Sequence, residues 1–131
     1  MIQMTRRQAL AGAAALLAGL AAGSAAAAGG YRTISAEEAK ARREAGGVTI
    51  LDVRTPAEFS QGHIKGAVNV PVDRLVPGRR LAVSPNPEKP VLVYCRSGRR
   101  AETAGRLLAE AGYREVLNFG GINNWPFELI R

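Results

Sequence analysis

Residues 91–112 read VLVYCRSGRRAETAGRLLAEAG, and they decide the fold. Val91–Tyr94 is a continuous apolar run of strand length, the pattern of a strand buried on both faces. Beyond it, Ala101, Ala104, Leu107, Leu108 and Ala111 recur at helical spacing, and Gly112 stops the helix. Between strand and helix lies a short loop, Cys95-Arg96-Ser97-Gly98, with Arg99 and Arg100 opening the helix. A strand that turns at once into an amphipathic helix is half of a parallel β-α-β unit.

The same alternation runs outward in both directions. Toward the N-terminus, YRTI reads as a short edge strand, and SAEEAKARREAGG as a helix capped by a Ser35/Glu38 box and closed by Gly46-Gly47. VTILDV is a second continuous apolar strand. TPAEFSQGH is a short helix with Thr55 as cap, Pro56 at the first helical position, Glu58 closing the box and Gly62 as the stop. GAVNVP is a third strand. Residues 72–90 carry Pro77-Gly78 and further prolines, so they read as irregular chain with one helical turn at most. After the helix, REVLNF is a fifth strand, and GGINNW turns into a short C-terminal segment. The order predicts a three-layer α/β/α domain with a parallel sheet of about five strands and helices on both faces. In such sheets ligands bind outside the carboxyl ends of the strands, which is where Cys95 falls.

Only part of the 131-residue chain belongs to that domain. Residues 1–28 have a charged start (Arg6, Arg7), an apolar stretch from Ala9 to about Ala22 and a tail of small residues. This is the layout of a cleavable export signal, and TRRQAL resembles a twin-arginine motif with Ala9 in place of its usual phenylalanine. The alternative is an uncleaved membrane anchor, which the weakly apolar Ala/Gly composition disfavours. The expectation is therefore a signal over 1–28, a domain over 29–131, and a periplasmic or otherwise exported product with no membrane contact once cleaved. Losing Arg6 and Arg7 lowers the formal charge from +7 to +5. That mild excess suits an anionic substrate. The basic pairs are scattered and lack the aromatic company of a nucleic-acid surface.

Cys95 is the only cysteine, which excludes an internal disulfide, and His63 is the only histidine. One of each cannot close a structural zinc site, and no phosphate-loop or dinucleotide fingerprint occurs. No metal or cofactor is expected. A loop leaving a strand and entering a helix collects unpaired backbone N–H groups, and with the helix dipole these favour a negative charge. A cysteine at its start is stabilised as the thiolate. Gly98 permits the tight bend, and Arg96, Arg99 and Arg100 add positive charge. The outcome is a nucleophile in an anion-binding cradle, suited to an anionic electrophile. His63, set between the second helix and the third strand, reads as structural. Without a histidine partner the thiol does not fit a cysteine protease.

In three segments the chain resembles the rhodanese, or sulfurtransferase, family: LDVRTPAEFSQGHIKGAVNVP, VLVYCRSGRRA and AGYREVLNFGGINNW, in that order and at fitting separations. The resemblance implies a fold and an activity. Cys95 would be the nucleophile, taking a sulfane sulfur from a donor such as thiosulfate to become a persulfide. The covalent persulfide replaces any cofactor, and the sulfur passes to cyanide, a thiol or a sulfur-relay protein. The amides of Arg96, Ser97, Gly98, Arg99 and Arg100 would surround the persulfide. Arg96 and Arg99 would hold the donor, while Arg100 turns inward to a carboxylate. Asp52 and Arg54 would brace the loop from the neighbouring strand, although as residues they read better as a structural ion pair than as substrate contacts. Gly120, Gly121 and Trp125 would be packing positions. The loop departs from many relatives, which carry Asn at Arg99 and Ser at Ala101, and only PFELIR follows Trp125. The departures leave the donor open.

Three other readings use the same scaffold. A cysteine phosphatase needs an arginine six residues after the cysteine, and that position is Ala101. An arsenate reductase would need an external thiol to finish its cycle. A sulfur carrier or docking module would hold sulfur on Cys95 for a partner protein without turning over alone.

Overall fold

The computed structural model describes residues 30–131; the export-signal reading of residues 1–28 lies outside them. In chain order come β1 (Tyr31–Thr33), α1 (Ala36–Ala45), β2 (Thr49–Asp52), α2 (Pro56–Gln61), β3 (Ala67–Asn69), β4 (Val91–Cys95), α3 (Arg99–Glu110) and β5 (Val116–Gly121). Single 3-10 turns occupy Val72–Arg74 and Ile122–Asn124. The strands form one sheet in the order β1-β5-β4-β2-β3, and every pair is parallel. The chain thus leaves β2 toward one edge and β4 toward the other, so the two connections diverge between these neighbours at their carboxyl ends.

Side-chain alternation along β4 divides the core. Val91, Val93 and Cys95 face α3, where they meet Ala101, Ala104 and Leu108. Leu92 and Tyr94 face the other way, onto Ala36 and Ala39 of α1 and onto Phe119 and Trp125. All five β4 residues are buried, which is why the strand reads as unbroken hydrophobicity rather than alternation. Each fully buried valine or leucine contributes about 1.5–3 kcal/mol through removal from water. Leu107, expected on the same face of α3, is only half-buried, and Gly105 takes the inner position against the Tyr31 ring.

The two N-terminal caps differ. Thr55 Oγ1 accepts from the Glu58 amide, and Glu58 Oε1 accepts from the Thr55 amide at 3.0 Å, a complete box. Ser35 Oγ accepts from the Glu38 amide at 3.0 Å, but the Glu38 carboxylate turns to Arg42 Nε at 3.1 Å instead of back to the cap. The expected box on α1 is therefore half formed, because an arginine one helical turn on competes for the carboxylate. The irregular stretch 70–90 is fixed at its middle. Tyr113 Oη accepts from the Leu81 amide at 2.8 Å and donates to the Ser84 carbonyl, while the Ser84 and Thr49 hydroxyls meet at 2.7 Å.

Candidate active site

Cys95 ends β4 with its side chain buried to 1 % exposure. The chain then turns through Gly98, whose φ of +114° is a conformation that a side chain would strain, and enters α3 directly. This tight return swings the first turn of the helix over the sulfur. Cys95 Sγ accepts from the Gly98 amide at 3.0 Å and from the Ala101 amide at 3.4 Å. Ala101 is the third residue of α3, so the sulfur occupies the place of a capping oxygen at the end of a 12-residue helix. Of the five residues expected to supply amides, Gly98 does so; the second donor, Ala101, lies one residue beyond that set.

Arg96, Ser97 and Arg99 are exposed around this cradle, and Arg100 is partly covered. Arg100 turns toward α2. Its Nη1 and Nη2 donate to the two Glu58 oxygens at 2.8 and 3.1 Å. This two-pronged pair ties the start of α3 to the start of α2. The Arg100 hydrogen bond, aided by the Thr55 cap, holds the Glu58 carboxyl down at about 2, against the opposing effect of its partial burial. Glu58 in turn keeps Arg100 more firmly protonated. Glu58 has two duties, and only the capping one shows in its local sequence.

Asp52 and Arg54 lie at the carboxyl end of β2, both buried. Arg54 Nη2 meets Asp52 Oδ2 at 2.7 Å and also donates to the Gly62 carbonyl at 2.7 Å. Burial pulls the Arg54 guanidinium down, and the hydrogen bonds and charge of Asp52 outweigh it and leave it raised. Among the described residues, no side-chain hydrogen bond from either reaches residues 96–100. The pair fastens the chain after α2 instead. His63 is stacked on Phe59 at 3.8 Å, with Nδ1 against the Phe59 carbonyl at 2.9 Å, a structural position.

A further residue, not singled out in the sequence, holds the loop from the other side. Asn118 of β5 is 5 % exposed. Its Nδ2 donates to the Gly98 carbonyl at 3.3 Å and to Tyr31 Oη at 3.0 Å, and its Oδ1 accepts from the Gly120 amide at 2.8 Å. Just there β5 carries an extra residue relative to β4, since Val93 pairs with Asn118 but Cys95 pairs with Gly121. A side chain at Gly121 would collide with the Cys95 carbonyl, so the glycine lets β5 close on the base of the loop. The Asn123 amide adds a bond to the Arg96 carbonyl at 3.0 Å. On this side a cleft of about 520 Å³ runs along the loop, lined in part by Ser97, Arg99, Glu102, Asn118 and Asn124. Among the described residues no group of His, Cys, Asp and Glu could hold a metal ion.

Comparison with known proteins agrees with this architecture. The thiosulfate sulfurtransferase PspE of Escherichia coli is 38% identical over 81 residues, covering 62% of this chain and 77% of the relative. A sulfurtransferase of Allochromatium vinosum is 42% identical over 79 residues, covering 60% and 71%. The solved human single-domain sulfurtransferase TSTD1 superposes with a TM-score of 0.63 at 28% identity, covering 71% of this chain and 93% of that one. Residues 35–127 match the family described as Rhodanese-like domain, a span that holds α1 to β5 and the whole Cys95 loop, and the chain belongs to that family.

Proposed function

We propose that the protein is a sulfurtransferase that carries a sulfane sulfur on Cys95. The observation behind this is the Cys95 sulfur set against the Gly98 and Ala101 amides at the start of α3. In the first half-reaction the thiolate attacks the outer sulfur of thiosulfate. A Cys95 S–S bond forms, the bond to the sulfonate sulfur breaks, and sulfite leaves with the electron pair. The persulfide that results is itself an anion, and the helix-start amides stabilise it as they stabilise the thiolate. In the second half-reaction cyanide or a thiolate takes the outer sulfur and restores the Cys95 thiolate. No base is required in either step, and neither calls for a cofactor. Exposed Arg96 and Arg99 draw the dianionic donor to the loop, while Arg100 is committed to Glu58.

The N-terminal segment supports export to the periplasm, by the twin-arginine route, before the domain works. Replacing Arg6 and Arg7 together with lysine tests that route: it predicts loss of export, and unchanged export contradicts it. The catalytic reading is tested by thiocyanate formation from thiosulfate and cyanide. The wild-type chain turns over and Cys95→Ser does not. Equal thiocyanate formation by the two overturns the assignment of Cys95.

A further inference from the structure

The protein's arginines fall into two populations. Arg42, Arg54, Arg100 and Arg114 are each paired with a carboxylate. Among the described residues Arg43, Arg96, Arg99 and Arg131 make no ion pair, and neither do Arg74, Arg79 and Arg80. These three line a single groove of about 250 Å³ whose other walls are apolar, among them Val70, Leu75, Val76, Leu81 and Val83. Val76 is 44% and Val83 50% exposed, the two most exposed large apolar side chains described. The one acidic residue of the segment, Asp73, is not part of the lining.

The groove is preformed rather than loose. Ser84 is fixed to Thr49 and Tyr113, Leu81 to Tyr113, and Arg80 Nε donates to the Ala111 carbonyl at the end of α3, at 3.1 Å. At its other end Val70 and Leu75 pack on the same apolar cluster that contains Cys95. There the Val70 amide donates to the Asp52 carbonyl at 2.9 Å, so this end of the groove lies at the carboxyl end of β2, the strand next to the one that ends in Cys95. Its volume is below the roughly 300–1,000 Å³ usual for a small-molecule site, so it fits a few side chains of a larger partner better than a free metabolite. An apolar floor with unpaired guanidinium groups at its rim is complementary to apolar residues flanked by carboxylates. A second copy of this chain, with a formal charge of +7, is the wrong sign for it.

We infer that this groove docks a protein partner through an acidic segment interspersed with branched apolar residues. Resting on the sulfurtransferase reading, the partner is the protein that delivers sulfur to Cys95 or takes it away. A partner docked there either gives the outer sulfur of its own persulfide to the Cys95 thiolate, leaving as a thiolate, or takes the outer sulfur of the Cys95 persulfide onto its own thiolate, while small donors approach Cys95 without using the groove.

The test uses the full-length chain and, as probe, a short synthetic peptide of leucines and glutamates, with its leucine–lysine counterpart as control. Binding is followed by amide chemical shifts and fluorescence anisotropy. The acidic peptide is expected to shift amides within 70–83, to bind less well as salt rises, and to lose roughly tenfold or more in affinity with R74E/R79E or with V76D/V83D. The lysine counterpart is expected not to bind. Absence of binding, shifts confined to Arg96 and Arg99, equal affinity of the variants, or self-association through this face would each overturn the proposal. Thiocyanate formation from thiosulfate is measured on the same proteins and is expected to be unchanged by R74E/R79E. If the wild-type chain makes no thiocyanate yet binds the peptide, the activity assignment fails and the docking surface stands.

Discussion

At the scale of single residues, Cys95 does two things at once. Its Cβ belongs to the apolar face of β4, and its sulfur closes the first turn of α3. The second role is local and legible from a strand-to-helix loop with Gly98. The first is not: the sequence reads the strand as Val91–Tyr94 with Cys95 in the loop, whereas Cys95 is the last, buried residue of β4. The partners that hold the loop were less visible. The inward turn of Arg100 was expected from the family resemblance, but its carboxylate, Glu58, stands 42 positions away and could not be named. Asn118 looked like one polar residue within an apolar strand, and its three bonds exist only once β1, β5 and the loop are assembled. Asn118→Asp keeps the acceptor for Gly120 and removes both donated bonds. It is expected to slow Cys95 alkylation and thiocyanate formation roughly tenfold or more, because the Gly98 bend loses its anchor. Stability by urea unfolding should fall by about 1–3 kcal/mol, because the new carboxylate is buried against the Gly98 carbonyl. A large stability loss with unchanged Cys95 reactivity would make Asn118 merely structural.

Glu58 gives a pH prediction at the same scale. Its carboxyl ordinarily titrates near 4.5 and here near 2, so the stability it provides is fully present above about pH 4.5. That contribution is lost as the pH falls toward 2. Glu58→Gln preserves the Thr55 cap but removes the charge facing Arg100. The variant should unfold with about 1 kcal/mol less free energy near neutrality, a modest figure because the pair is partly solvated. It should also show a shallower loss of stability between about pH 5 and 2, measured by denaturant unfolding across that range. Parallel pH curves for the two proteins would contradict the assigned partner.

At the scale of elements, periodicity and caps located all five strands and three helices, because each is stabilised by its own pattern. The boundaries shifted where tertiary contact intervened. β5 runs on through Gly120 and Gly121, beyond the REVLNF reading, since the Cys95 loop supplies it with a partner. A sequence shows glycines there as a turn, whereas in the fold Gly121 lies against the Cys95 carbonyl and Gly120 against the Asn124 side chain. Gly121→Ala should therefore be among the most damaging small substitutions. Its added methyl group meets the Cys95 and Arg96 carbonyls, which are backbone and cannot move aside. The expected cost is about 3 kcal/mol or more, or failure to fold, read by thermal unfolding. Gly46→Ala, where nothing lies within 4 Å, should cost far less despite its positive φ. Similar melting temperatures for the two variants would contradict the packing described at the base of the loop.

At the scale of the whole molecule, the sheet order places Cys95 where the β2 and β4 connections diverge, and Arg96 and Arg99 stand exposed beside it. Alternating strands and helices made this architecture legible, but neither the 70–83 groove nor the sharing of arginines between paired and unpaired sites follows from local sequence. Exposed Arg96 and Arg99 act over distances comparable with the screening length of about 10 Å at 0.1 M salt. The KM for thiosulfate should accordingly rise with ionic strength while kcat changes little. Arg96→Ala with Arg99→Ala should raise KM in low salt and flatten that dependence, measured by thiocyanate release. The central claim, that Cys95 carries the transferred sulfur, is tested most directly by intact mass of the purified protein after thiosulfate and then after cyanide. The account predicts a gain of one sulfur atom, confined to Cys95, that cyanide removes as thiocyanate. A mass unchanged by thiosulfate and by a low-molecular-weight persulfide alike would contradict it.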